Sequence, residues 1–140
     1  MKQVVFFIKG EPVGKGRPRF TKQGHAYTPD KTRDYESLVG LSYRKKARGY
    51  KFTSPVRVKI CAYFGVPKSK SKKVAADMLN RHILPTKKPD IDNIAKIILD
   101  GLNHIAWDDD KQIVELIVGK AYGKEPMVVV AIEEVIGRCC

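Results

Sequence analysis

The sequence predicts an α+β fold, a single domain over residues 1–140 with two main helices flanking a mixed, mostly antiparallel sheet. Three stretches carry that prediction. Val56–Phe64 alternates over nine residues, with Val56, Val58, Ile60, Ala62 and Phe64 on one side and Arg57, Lys59, Cys61 and Tyr63 on the other; a period of two marks a half-buried strand. Residues 91–105 repeat apolar side chains at helical spacing, leaving one narrow polar stripe. Met127–Val135 is nearly all apolar and β-branched, which reads as a buried strand. Strands and helices come in groups rather than in strict βαβ alternation, and 140 residues suffice to bury one core without metal or disulfide staples.

In chain order, Val4–Ile8 reads as an opening strand ended by Gly10 and Pro12. The segment GEPVGKGRPRF lacks the terminal Lys-Ser/Thr of a P-loop and the three-glycine spacing of a dinucleotide fingerprint, so it reads as a flexible basic loop. Arg19–Thr28 predicts a hairpin turning near Gln23-Gly24. Thr28 as cap and Pro29 as first residue start a helix that runs to Ala47 and stops before Gly49. Its apolar face is expected at Tyr35, Leu38, Val39 and Ser42, with Arg33, Arg44, Lys45 and Arg48 turned to solvent or a partner. After the Val56–Phe64 strand, the basic tract Lys68–Lys73 predicts a mobile loop, followed by a short helix over Lys73–Asn80. Pro89 holds Lys88 extended, so the next helix begins just after it, and Ile113–Tyr122 and Met127–Val135 close the chain as strands.

Charge is distributed unevenly. The formal net charge is +12, yet residues 1–88 hold 22 Lys/Arg against 5 Asp/Glu and residues 89–140 hold 5 against 10. A basic excess of this size favours a phosphate backbone through counterion release. No run of about 18 apolar residues exists to span a membrane. The five consecutive apolar residues at Val4–Ile8 are too few for a signal-peptide core, so a cytoplasmic location is the default. Three cysteines without recurrent spacing argue against a disulfide framework, and His25, His82 and His104 are scattered. The terminal Gly137-Arg138-Cys139-Cys140 carries no functional reading.

Against that basic background, Lys88–Gln112 gathers Asp90, Asp92, Asp100, Asp108, Asp109 and Asp110, six of the nine aspartates. Grouped carboxylates repel one another unless a cation sits among them. Taking about 100° per residue from Asp92, Lys96 falls at about 40°, Asp100 at about 80° and Asn93 at about 100°, while Ile91, Ile94, Ala95, Ile97, Ile98, Leu102 and Ile105 fill the opposite side. Each acid also has an ordinary explanation. Asp90 or Asp92 would serve as an N-cap. Asp92, Lys96 and Asp100 would form a ladder at i,i+4 spacing, and Asp108–Asp110 would be turn formers. A calcium loop is excluded, because Ile94, Ala95 and Gly101 stand where it needs a ligand, a glycine and a glutamate. Together, the acids in a basic chain point to a metal-dependent enzyme acting on nucleic acid.

The string Lys88-Pro-Asp-Ile-Asp-Asn-Ile-Ala-Lys96, then Asp100-Gly-Leu, then Trp107-Asp-Asp-Asp-Lys-Gln112 and Lys120, resembles the RusA family of Holliday junction resolvases. GEPVGKGRPRFTKQGHAYTP is similar to the N-terminal segment of members from bacteria and their phages. The resemblance implies a homodimeric, Mg²⁺-dependent endonuclease (Mn²⁺ as a substitute) that nicks symmetric strands of four-way DNA junctions in recombination and repair. It implies Asp90, Asp92 and Asp110 as catalytic metal ligands, Asp110 being the aspartate followed by one residue and then Gln, and Lys96 as the catalytic lysine. Asp100, Asp109, Gln112 and Lys120 match further pattern positions and are expected to support that set. The basic residues Lys15, Arg17, Arg19, Lys22, Arg44, Lys45, Lys68, Lys70, Lys72 and Lys73 are expected to hold the junction arms. A non-catalytic DNA-binding architectural protein, or a nuclease for other branched DNA, remains the alternative.

Overall fold

The computed structural model describes residues 2–137. Its elements in chain order are β1 (Gln3–Lys9), a small hairpin of β2 (Arg19–Phe20) and β3 (Ala26–Tyr27), α1 (Asp30–Ala47), β4 (Val56–Gly65), α2 (Lys72–Leu79), α3 (Ile91–Leu102), a single 3₁₀ turn (Asp110–Gln112), β5 (Ile113–Gly123) and β6 (Met127–Glu134). The main sheet has the order β1-β6-β4-β5. β6 runs antiparallel to both β1 and β4, while β4 and β5 are parallel. A parallel pair needs a long crossover. Here the crossover contains α2, α3 and the acidic stretch, so the topology lays that stretch along one face of the sheet.

Alternation along the strands sets that face. Val4, Phe6 and Ile8 of β1, Val56 to Phe64 of β4 at every second residue, and Val128, Val130 and Ile132 of β6 are all buried in one core with α1 and α3. The intervening β6 residues are only half-buried, so that strand is not enclosed on both sides as its composition suggested. On α1 the buried residues are Thr32, Tyr35, Val39, Gly40 and Tyr43, whereas Leu38 is 42% exposed. The helix is turned relative to its apolar pattern because the α1–α3 seam is built on glycine. A Cβ on Gly101 would lie 2.9 Å from Val39 Cβ, and one on Gly40 would lie 2.8 Å from Ile105 Cδ1.

Other boundaries differ from expectation for local reasons. Pro29, not Thr28, occupies the N-cap of α1, and Arg48 (φ 53) and Gly49 (φ 79) end the helix in left-handed conformations. The tract Lys68–Lys73 is not a mobile loop throughout: Ser71 caps α2 by accepting from Val74 N at 3.3 Å, which draws Lys72 and Lys73 into helix. Ile91, expected in the core, is 44% exposed at the first residue of α3. Cys139 and Cys140 lie outside the described residues.

Two core tyrosines give the fold an alkaline limit. Burial pushes the phenols of Tyr35 and Tyr43 up to about 12. The unfolded chain therefore ionises first, and the stability present below about pH 10 is lost as pH rises toward 12. The Tyr35 hydroxyl has no hydrogen-bond partner among the described residues. Tyr35→Phe should leave stability at pH 7 within about 1 kcal/mol and raise the alkaline unfolding midpoint, read by denaturant melts at pH 7 and pH 11.

Candidate active site

The acidic stretch reaches its position through α3 and the turn after it. Asp90 takes the N-cap position of α3, but its side chain accepts no cap hydrogen bond. Asp92 and Lys96 are exposed on the first two turns, and neither side chain forms a hydrogen bond or ion pair with the described residues. The ladder expected at i,i+4 spacing is absent. Asp100 instead meets Lys15 Nζ at 2.9 Å, and the same ammonium binds Glu36 Oε2 of α1 at 2.5 Å. Burial alone would pull the Lys15 pKa down; the hydrogen bonds to Glu36 and Asp100 more than reverse it, leaving it raised.

Asp92, Lys96, Asp100 and Asp110 line one open groove between α3 and β5, whose remaining walls are Ile91, Ala95, Leu99, Leu116 and Val118. Asp90 lines an adjoining hollow with Gly14, Lys15, Arg17, Lys88, Pro89 and Asn93. Arg17 and Lys88 continue into a second hollow bounded by Arg19 and Lys31. Cation-rich surface thus borders the acidic helix on the Asp90 side.

Each aspartate of the triplet after α3 is fixed differently. Asp110 Oδ1 accepts the indole N–H of fully buried Trp107 at 2.8 Å, which aims one carboxylate oxygen from a rigid base. Asp109 caps the short turn by accepting Lys111 N at 2.9 Å. Asp108 pairs with Lys51 at 2.8 Å, and that hydrogen bond holds its carboxyl below the usual carboxylate range. Gln112 clamps the whole turn. Its Oε1 accepts from Asp108 N (2.8 Å) and Asp109 N (3.2 Å), while its Nε2 donates to Phe52 O (3.1 Å) and Ser54 O (3.2 Å). Gln112→Ala should cost roughly 2–3 kcal/mol and accelerate amide exchange at Asp108 and Asp109, because four partners lose their bonds together.

Lys120 stands on β5 and donates to Lys87 O at 2.6 Å, with its ammonium 5.4 Å from the centre of the Phe64 ring. It thereby fastens the segment that leads into the cis Lys88–Pro89 bond and Asp90. The glycine-rich segment before α1 is likewise tied down rather than free. Gly10 N bonds Pro126 O at 3.0 Å, Lys15 N bonds Asn93 O at 2.9 Å and Gly16 N bonds Thr32 Oγ1 at 3.2 Å. A Cβ on Gly14 would stand 2.7 Å from Pro89 Cβ, and one on Gly16 2.7 Å from Thr32 Oγ1, so glycine is what lets this strap lie against α1 and α3.

Of the basic residues expected on DNA, Arg17 and Arg19 border the hollows near Asp90, and Lys15 is already committed to two carboxylates. Lys22, Arg44, Lys45, Lys68, Lys70, Lys72 and Lys73 are exposed, and none of them lines the groove or these hollows. Sequence reasoning passed over Glu36, Lys31 and Lys88. Lys88 stood in plain view two residues before Asp90, whereas Glu36 had no local signal.

Whether the groove suits a divalent cation depends on its donors. Among the described residues no three His, Cys, Asp or Glu side chains come close enough to hold a metal ion by themselves. Mg²⁺ does not require that: it commonly binds through one or two carboxylates and completes its shell with waters and substrate phosphate. Two hard-oxygen donors, Asp92 and Asp110, in one open groove fit that pattern. Asp90, two residues before Asp92, lines the adjoining hollow.

Fold and site together define an α+β domain carrying a lysine–carboxylate groove beside a cationic hollow. Over residues 9–133 the chain matches the family described as endodeoxyribonuclease RusA. It is 37% identical over 140 residues to a protein of Bacillus subtilis (strain 168) called "Uncharacterized protein YqaN", covering 96% of this chain and 99% of that protein. The chain belongs to the RusA endodeoxyribonuclease family. That family is one of divalent-metal-dependent nucleases that bind branched DNA. Among the described residues no helix is long and apolar enough to cross a membrane.

Proposed function

We propose that this protein is a Mg²⁺-dependent endodeoxyribonuclease that resolves four-way DNA junctions by paired symmetric nicks, working as a homodimer in the cytoplasm. One observation carries the reading beyond family membership. The side chains of Asp92 and Lys96, opposite charges one turn apart, form no hydrogen bond or ion pair with the described residues, in a groove shared with Asp110. An exposed pair at this spacing gains about 0.3–0.5 kcal/mol by closing. That gain is smaller than thermal energy, so both groups stay available to a cation or a phosphate in the groove.

In this reading Asp92 and Asp110 hold the cation, with Asp90 joining from the adjoining hollow. When bound there, a divalent ion neutralises phosphate oxygens and lowers the pKa of a water ligand. Lys96 faces the same phosphate as a fixed positive charge that meets the negative charge built up in the transition state. Trp107 keeps Asp110 aimed into the groove, and Asp109 and Gln112 keep the turn that carries it in shape. Arg17, Arg19, Lys31 and Lys88 hold the flanking backbone, and the exposed lysines of α1 and α2 reach more distant arms. Attack by water with departure of the 3′ oxygen yields a 5′-phosphate and a 3′-hydroxyl, ends that a ligase can rejoin. A two-fold symmetric junction offers two equivalent strands, which an isologous dimer meets with two equivalent sites.

End-labelled four-way junction, replication fork and linear duplex, each incubated with protein and Mg²⁺, test the substrate. The junction should be nicked at symmetric positions with ligatable products, and EDTA should stop the reaction. Equal cleavage of the fork would reassign the substrate to branched DNA in general. Junction binding with no metal-dependent product would leave an architectural protein.

A further inference from the structure

The proposed mechanism requires Lys96 to be free, yet helix geometry works against that. Asp92 and Asp100 stand one turn before and one turn after it, the spacing at which Lys and Asp side chains meet. Asp100 is nonetheless drawn to a different cation on a different element. Lys15 Nζ lies 2.9 Å from Asp100 Oδ2 and 2.5 Å from Glu36 Oε2, with 19% of the Lys15 and Glu36 side chains exposed against 33% for Asp100. An ammonium has three donors, so one lysine satisfies both carboxylates at once.

The position of that ammonium is built into the backbone. The strap carrying Lys15 is anchored on α3 by Lys15 N–Asn93 O and on α1 by Gly16 N–Thr32 Oγ1, and Gly14 and Gly16 permit the close approach. Glu36 and Asp100 meet the same ammonium across a seam closed through Gly101, whose added Cβ would meet Glu36 O at 3.0 Å. Lys15 therefore joins three elements at the groove's edge.

We infer that Lys15 is a positioning residue: by holding Asp100 against Glu36, it keeps the Asp100 carboxylate off Lys96 and leaves the Lys96 ammonium available to a phosphate in the groove. The inference rests on the nuclease reading of that groove. It also gives Lys15 a task other than touching DNA. Without Lys15, Asp100 and Glu36 face each other as uncompensated like charges, and Lys96 is the cation one turn away on the same helix. Asp100, repelled by Glu36, then pairs with Lys96 for part of the time.

Three variants test this: Lys15→Met, Asp100→Asn and the double variant. Lys15→Met should slow single-turnover junction cleavage in Mg²⁺ by about two- to threefold, the share of Lys96 that an exposed pair at this spacing can occupy, and the double variant should match Asp100→Asn alone. Trace acetylation with acetic anhydride, read by mass spectrometry, should label Lys96 about two- to threefold less in Lys15→Met than in wild type and fully again in the double variant. That second readout needs no nuclease activity. A wild-type protein inactive on every DNA tested would overturn the nuclease reading while the labelling still decides whether Asp100 pairs with Lys96. The salt dependence of junction binding should keep its slope in Lys15→Met, whereas loss of a phosphate contact would reduce it by about 1. Unchanged Lys96 labelling in Lys15→Met, or a slope reduced by about 1 with no rescue by Asp100→Asn, overturns the inference. Should Lys15→Met fail to fold, Lys15→Gln, whose amide still donates to one carboxylate, should give the same pattern with a smaller amplitude.

Discussion

Asp92→Asn should lower metal-dependent cleavage of a four-way junction by roughly three orders of magnitude or more, since a metal supplies several kcal/mol of transition-state stabilisation and each 1.4 kcal/mol is tenfold. The substitution is well suited to isolating chemistry from folding. Asp92 is exposed and its side chain forms no hydrogen bond or ion pair with the described residues, so its charge can be removed without breaking a side-chain contact. Thermal melting should be unchanged within experimental scatter. Junction affinity should hold or rise, because one negative charge fewer faces the phosphates. Single-turnover cleavage and a gel-shift titration on the same preparation check both halves. A variant that cleaves at the wild-type rate removes Asp92 from the metal site.

Trp107→Ala should bring the largest loss of stability, about 3–5 kcal/mol by analogy with other buried aromatic truncations. Against a total of about 5–15 kcal/mol for a typical domain, that leaves a marginal protein. Trp107 is completely buried, lies beside Phe52 and Asn103 through short backbone bridges, and directs its N–H to Asp110. Trp107→Phe separates the two contributions. The ring largely remains, so the melting transition should stay cooperative, but Asp110 loses the donor that aims it. Cleavage should then fall by roughly 10–100-fold, the usual effect of losing a group that orients a metal ligand. Equal activity in wild type and Trp107→Phe would mean that the indole only fills space.

The strands were legible in the chain because alternation reports which face of a strand is buried. Val56–Phe64 shows this most clearly, every inward residue of that run being 0–2% exposed. Alternation does not report which strand lies next to which. The consecutive strands β5 and β6 are not neighbours, because β4 stands between them, and nothing local announces that order. Helix α1 was legible in extent but not in rotation, since the contribution of Gly40 to its seam depends on Gly101, about sixty residues on. The polar stripe of α3 was readable from helical phase alone. Its division of labour was not. Asp109 and Gln112 shape a turn, Asp108 pairs with Lys51, and Asp100 belongs to Lys15 and Glu36. Those partners come from other elements, so spacing along one helix could not disclose them.

The central claim is that the groove holding Asp92, Lys96 and Asp110 takes a catalytic divalent cation. Paramagnetic broadening tests it most directly: substoichiometric Mn²⁺ is added to isotope-labelled protein and the amide spectrum is followed. Resonances of Asp92, Asp110 and their immediate neighbours, Asn93 and Lys111, should disappear first, and Asp92→Asn with Asp110→Asn should abolish the effect. Broadening that begins elsewhere, for example at Glu115 and Glu133 on the opposite face of the sheet, or that persists in the double variant, would contradict the account.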